Sequence, residues 1–254
     1  MQSINHSENI LELDNISFAY QKELVLKNIN LSLHRGDYLG VIGPNGGGKT
    51  TLLKIMIGLL KPNEGTVKIF GTDIKNFKEW SKIGYVPQKA TNFDVNFPVT
   101  VEEVVSMGRY AQRGLLKSLN AHDKQKVRNS LEQVEMVEYK DRQITDLSQG
   151  QQQRVFIARS LASEPEVIFL DEPTVGVDIK AQEQFYTLLQ KLNKILRLTL
   201  VLVSHDIDVV TSEATELACI NQELVYHGEP KEFIKKDYLT KLYGKGVKFI
   251  LHGH

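Results

Sequence analysis

Eight consecutive residues, Gly43-Pro44-Asn45-Gly46-Gly47-Gly48-Lys49-Thr50, have the composition to hold a chain of phosphates. Glycines let successive backbone N–H groups turn inward onto phosphate oxygens, because no Cβ stands in the way. Lys49 adds a mobile positive charge suited to β and γ phosphates, and the Thr50 hydroxyl suits Mg²⁺. The loop lies between an apolar run, Leu39-Gly40-Val41-Ile42, and an apolar helical segment over Leu52 to Leu60. A helix N-terminus there adds partial positive charge to the cradle. The pattern reads as a site for a nucleoside triphosphate.

A second constellation is Val167-Ile168-Phe169-Leu170-Asp171-Glu172, two adjacent carboxylates at the tip of a buried run. Asp171 is placed to hold the Mg²⁺ shell and Glu172 to accept a proton from an attacking water. Backbone alternation points the two side chains differently, which suits two roles. A third is Leu147-Ser148-Gln149-Gly150-Gln151, where Ser148 and Gln151 have the spacing of a capping box. Gly150 leaves that helix start open to close approach, so it too can cradle phosphate. One γ-phosphate does not need two cradles from one chain, so the second is expected to serve a nucleotide on another copy.

These residues need elements to position them. Leu39–Ile42, Val167–Leu170 and Leu200–Val203 are continuous aliphatic runs without alternation, as in strands buried on both faces of a parallel sheet. Each ends in glycine or polar residues, where open α/β sheets place ligands. Segments from Ile10 to Tyr20, Val25 to Leu33 and Gly65 to Gly71 alternate apolar and polar, which predicts half-exposed antiparallel strands. From about Lys89 to Ser160 the texture is helical and charged. Thr100 and Glu103 form a capping-box pattern, and Ala121 to Glu138 carries Val127, Leu131, Val134 and Val137 at helical spacing. No internal repeat or low-complexity tract interrupts the chain.

Composition bounds the rest. The 254 residues are long enough for one large α/β domain or two small ones, and 41% hydrophobic with 24% charged residues excludes wholesale disorder. Lysine plus arginine equals aspartate plus glutamate, 31 each, so no basic excess points to nucleic acid and none is expected as a partner. Cys219, the single cysteine, can form neither an internal disulfide nor a cysteine-rich metal cluster, which fits a reducing compartment. Met1 to Asn9 is polar and lacks the look of a signal peptide, and no apolar run is long enough to cross a bilayer.

Taken in order, these segments resemble the ATP-binding-cassette ATPases, and the likeness covers nearly the whole chain. It implies an α/β fold: a P-loop NTPase (RecA-like) parallel-sheet core with an antiparallel β layer and an inserted helical subdomain. A single nucleotide-binding domain over 1–254 would have its core at about 1–88 and 161–230, its helical subdomain at about 89–160 and a tail at about 231–254. Gly43 to Thr51 matches the family's Walker A loop and Val167 to Glu172 its Walker B strand. Leu147 to Gln151 matches the signature motif, usually Leu-Ser-Gly-Gly-Gln, with Gln149 departing at the third position.

The same resemblance implies roles for scattered residues. Gln88 matches the lid-loop glutamine that contacts Mg²⁺ and the lytic water, and His205 the switch histidine at the γ-phosphate. Asp178, in Val175-Gly176-Val177-Asp178, matches the loop that crosses a dimer interface. Tyr20 sits where the family stacks an aromatic ring on adenine, with Phe18 as a rival. The catalytic set is then Glu172, His205 and Gln88, and Mg²⁺ would be held by Thr50, Gln88 and Asp171. ATP would contact Tyr20, Gly43, Pro44, Asn45, Gly46, Gly47, Gly48, Lys49, Thr50 and Thr51, with Ser148, Gly150, Gln151 and Asp178 acting across a head-to-tail homodimer.

A lone cassette without membrane spans is similar to the separate ATPase subunit of a bacterial-type transporter, peripheral on the cytoplasmic face of the membrane. Phe93 to Arg109 and Glu172 to Asp178 resemble the corresponding stretches of zinc and manganese uptake ATPases. The resemblance implies a polytopic membrane permease as partner, with a separate substrate-binding protein if the system imports. An iron-chelate importer, or a soluble assembly machine such as iron–sulfur cluster building, are the alternatives. Lys231 to Leu242 reads as a short helix, and His252 and His254 close a loose tail able to bind Zn²⁺ weakly.

Overall fold

The computed structural model describes residues 8–88, 98–113, 117–235 and 238. The first elements are strands β1 (Asn9–Tyr20), β2 (Glu23–His34) and β3 (Tyr38–Ile42), then helix α1 (Lys49–Met56). Strands β4 (Glu64–Ile69), β5 (Thr72–Asp73) and β6 (Ile83–Val86) follow, then helices α2 (Val101–Arg113), α3 (Ala121–Gln133) and α4 (Gln149–Ala162). Strand β7 (Val167–Asp171), helix α5 (Ile179–Leu196), strand β8 (Thr199–Val203) and helix α6 (Ile207–Glu213) come next. Strands β9 (Glu216–Asn221) and β10 (Glu223–Gly228) and helix α7 (Pro230–Lys235) complete the order. The chain divides into two compact units, Met1–Lys78 with Asn193–His254, and Glu79–Leu192.

The first unit holds both kinds of strand that the sequence distinguishes. β3 lies between β8 and β9 and is parallel to both, while β10 returns antiparallel to β9. Every residue of β3 and β8 is buried, which is why these runs are continuously apolar. The antiparallel layer is also present: β1 pairs with β2 on one side and β4 on the other, with β5 beyond β4. Asn193 ties the turn before β3 to the start of β8, its Nδ2 donating to the Gly36 and Leu198 carbonyls at 2.9 Å each. Helix α1 is shorter than the Leu52–Leu60 stretch predicted, because Gly58 adopts φ 72° just beyond it and turns the chain.

The second unit combines the parallel pair β6–β7 with helices α2, α3 and α4. β7 is buried throughout, and burying Phe169 alone contributes about 1.5–3 kcal/mol. The cap of α2 forms as its sequence predicts, with Glu103 N–H donating to Thr100 Oγ1 at 3.3 Å and Thr100 N–H donating to Glu103 Oε2 at 2.8 Å. A further capping box, Asn120 with Asp123, starts α3. That helix does not run on to Glu138. It stops at Gln133, where the Met136 N–H donates to Leu131 O and the Glu135 N–H to Glu132 O. This is a Schellman closure, and Glu135 occupies its left-handed position at φ 62° where glycine is usual. Met136 is buried beyond the stop while Val137 falls in a separate short turn.

Helices α2 and α4 come together at Gly108, where a Cβ would stand 2.1 Å from the Arg159 carbonyl oxygen. The neighbouring Arg109 is buried, donating to Ala162 O at 2.7 Å and to Asp123 Oδ1 at 3.1 Å. Burial pushes the Asp123 carboxyl up, but the Asn120 N–H with the Arg109 and Arg113 guanidiniums outweigh it and hold it below the usual range. Replacing Gly108 by valine forces these two backbones apart. Gly108→Val is expected to destabilise the protein by about 1–3 kcal/mol, read as a lower urea midpoint; an unchanged midpoint contradicts the close approach.

Candidate nucleotide site

In the first unit the phosphate loop leaves the carboxyl end of β3 and enters α1 at Lys49. Gly43 has φ 153°, and a Cβ there would lie 1.9 Å from the Ile220 carbonyl oxygen, so only glycine fits. Gly48 begins α1 in the left-handed region at φ 95°. No side chain caps that helix start, whose N-terminal end carries partial positive charge. The Gly47 carbonyl is braced by the Gln222 N–H at 3.0 Å. Lys49 is buried, and its Nζ donates to Gly43 O at 2.9 Å and Pro44 O at 3.0 Å, folding the ammonium back over the loop. Glycine-only clearance, an open helix start and a tethered cation form a donor set that fits a triphosphate. Thr50 is half-buried beside them, Thr51 buried, and Asn45 and Gly46 exposed.

Two more expected residues belong to this unit. His205 lies exposed two residues past β8, which is in register with β3 through Val203 and Val41. The Ser204 N–H donates to Val41 O at 3.1 Å, so His205 and the phosphate loop leave the same edge of adjacent parallel strands. Tyr20 is 48% exposed and stands edge-on to Phe18, their ring centroids 4.8 Å apart. Phe18 is in the core, so of the two rings Tyr20 presents the open face.

The second unit holds the carboxylates. Asp171 ends β7 buried, and Glu172 follows half-buried at φ 45°, a left-handed conformation unusual for a side chain of its size. β6 pairs with β7 so that Val86 lies opposite Leu170. Two residues beyond each, Gln88 and Glu172 therefore meet, with Gln88 Nε2 donating to Glu172 Oε2 at 2.9 Å. Burial raises the pKa of the half-buried Tyr85 phenol, and the Asp171 charge raises it further. An amide donating to a carboxylate in this way is an arrangement able to orient a general base.

The helix start at Ser148 forms as its spacing predicts. The Gln151 N–H donates to Ser148 Oγ at 3.4 Å, and the Ser148 N–H to Gln151 Oε1 at 3.0 Å. Gly150 follows half-buried, and a Cβ there would sit 3.2 Å from Ala181 Cβ. Asp178 is exposed and caps α5, accepting from the Ala181 N–H at 3.0 Å. Three glutamines not singled out as site residues hold the segment between Glu172 and Asp178. Gln149 Nε2 donates to Val175 O at 3.0 Å, Gln182 Nε2 to Thr174 O at 3.1 Å, and Gln153 Nε2 to Pro173 O. Gln149 and Gln153 are one helical turn apart, the spacing that puts two amides on one face. The departure from glycine at position 149 thus has a physical use, because the longer side chain reaches the loop at Gly176.

Of the expected site residues, Tyr20, Gly43 to Thr51 and His205 belong to the first unit. Gln88, Ser148, Gly150, Gln151, Asp171, Glu172 and Asp178 belong to the second. Residues 93–97 of the stretch likened to metal-uptake ATPases, and the tail histidines, lie outside the described residues. No helix among the described residues is long and apolar enough to cross a membrane.

Comparison with known proteins identifies the family. The family described as ABC transporter matches residues 26–175. The chain is 46% identical over 224 residues to the zinc uptake system ATP-binding protein ZurA of Listeria innocua, covering 88% of this chain and 87% of that protein. It is 40% identical to the manganese transport system ATP-binding protein MntB of Halalkalibacterium halodurans, covering 92% of each. Among solved structures, an ATP-binding cassette captured as a dimer after hydrolysis with ADP and Pi is 31% identical at a TM-score of 0.73, covering 87% of this chain and 98% of that one. The α/β fold with its phosphate loop is therefore that of an ATP-hydrolysing cassette, and this chain belongs to the ABC transporter family as an ATPase subunit.

Proposed function

We propose that this subunit powers import of a divalent metal ion, zinc or manganese, working as a head-to-tail homodimer on a polytopic membrane permease. The likeness to zinc and manganese uptake subunits over nearly full length carries the cargo reading. The permease docks on the helices of the second unit, where α2 keeps Met107 and Tyr110 exposed. The subunit then sits on the cytoplasmic face, and a separate binding protein delivers the ion to the permease.

In this reading Tyr20 stacks on adenine while the loop from Gly43 to Thr51 wraps the phosphates. Lys49 gives up its carbonyl partners and turns its charge to the β and γ phosphates. Thr50 and Asp171, with Gln88, are the oxygen donors for Mg²⁺, which when bound neutralises charge on the phosphate oxygens. Glu172 takes the proton of the lytic water, Gln88 orients its carboxylate, and His205 donates to the γ-phosphate. Ser148, Gly150 and Gln151 of the second copy close over the same nucleotide, and Asp178 lies at the junction. ATP binding then favours the closed dimer and hydrolysis the open one, a two-state element able to do work on a partner.

Three outcomes are expected. Glu172→Gln retains nucleotide binding but hydrolyses ATP about 10²–10⁴ times more slowly; robust turnover would remove Glu172 as the base. Lys49→Ala weakens ATP binding by about tenfold to a hundredfold in a fluorescent-nucleotide titration, the worth of a charge-assisted contact. Capture of the Glu172→Gln protein from detergent-solubilised native membranes with Mg-ATP brings down a polytopic membrane protein, and cells lacking the subunit lose zinc or manganese uptake. Recovery of soluble partners alone, with uptake intact, would defeat the importer reading.

A further inference from the structure

We infer that the first unit carries a second divalent-cation site, built from His34, Asp37, Glu216 and His227 and separate from the nucleotide. His34 ends β2, Asp37 sits in the turn leading into β3, Glu216 opens β9 and His227 lies near the end of β10. β3 and β9 are parallel with Leu39 opposite Glu216, and β10 returns beside β9 with His227 opposite Ala218. The topology therefore gathers four side chains from four segments at one end of the sheet. That end is where β3 begins. The phosphate loop leaves the other end of the same five-residue strand, roughly 15 Å away at about 3.3 Å per residue.

The chemistry of this cluster is that of a transition-metal site. One ligand atom each from His34, Asp37 and Glu216 lies within 4.8 Å of the others. His34 Nδ1 is 3.3 Å from Asp37 Oδ2, and His227 Nε2 is 3.2 Å from Glu216 Oε2. Four ligands around zinc at about 2.0–2.1 Å are spaced about 3.3 Å apart along each edge of the tetrahedron. The His34–Asp37 and Glu216–His227 pairs already have about this spacing, and His34 and Glu216 are half-buried. The Asp37 side chain is fully buried, and a carboxylate taken out of water favours a cation beside it. Imidazole nitrogen with carboxylate oxygen suits zinc rather than magnesium, and zinc binds such a set more tightly than manganese. A bound ion ties the β2–β3 turn to the β9–β10 hairpin. The inference stands whatever cargo the transporter carries, because it uses none of the residues assigned to ATP.

The test is titration of the purified full-length protein, free of nucleotide, with Zn²⁺ against a chromophoric chelator, and with Co²⁺ for its visible absorption. Wild type is expected to take one high-affinity Zn²⁺ per chain and to give the intense bands of a four-coordinate Co²⁺ site. Glu216→Gln and His227→Gln, on different strands, should each weaken Zn²⁺ binding by at least about tenfold and abolish those bands. Both variants should bind ATP as wild type does, which separates loss of a ligand from loss of the fold. A protein with His252→Ala and His254→Ala should bind Zn²⁺ unchanged. The inference is overturned if wild type takes no Zn²⁺, if the Glu216 and His227 variants bind it normally, or if only the tail variant loses it.

Discussion

A triphosphate brings several negative charges into a small volume, and backbone N–H groups can converge on it only where no side chain intervenes. Gly43 meets that condition against the Ile220 carbonyl, and Gly48 meets it again at the start of α1. Much of the first unit follows from this requirement. A buried strand must deliver the loop, so β3 is apolar on both faces and flanked by β8 and β9. A helix must leave the loop with its first N–H groups uncapped, and α1 does so. Lys49 is buried with its ammonium held by two loop carbonyls, a charge placed at the same loop.

In the second unit the matching constraint is the meeting of an amide with a carboxylate. Register accomplishes this. Because β6 and β7 are parallel with Val86 opposite Leu170, the chain places Gln88 and Glu172 at matching positions past the strand ends. The amide donates to the carboxylate and fixes its position. Glu172 keeps a left-handed backbone, and three glutamine amides on 173–175 hold the segment that follows.

Where the structure departs from expectation, the reason is local geometry that residue type conceals. The helix through Val127 and Leu131 was expected to continue to Glu138, because Val134 and Val137 keep the apolar period. Glu135 breaks it by adopting a conformation that glycine normally signals, and burial of Met136 repays the strain. Helix α1 is likewise shorter than expected. The apolar run from Leu52 to Leu60 reads as one helix, and Gly58, at φ 72°, ends it early.

The sequence by itself determined the pieces whose chemistry is local. Gly43 to Thr50, the carboxylates at the end of β7 and the Ser148–Gln151 cap are each complete within a few residues, so spacing alone identifies them. The buried strands are equally legible, because burial on both faces demands an unbroken apolar run. Only the tertiary structure decided which distant residues meet. Gln88 reaches Glu172 across 84 positions, and His34 and Asp37 share a corner with Glu216 and His227. Such meetings depend on strand order and register, which packing of the whole sheet selects and no local pattern encodes.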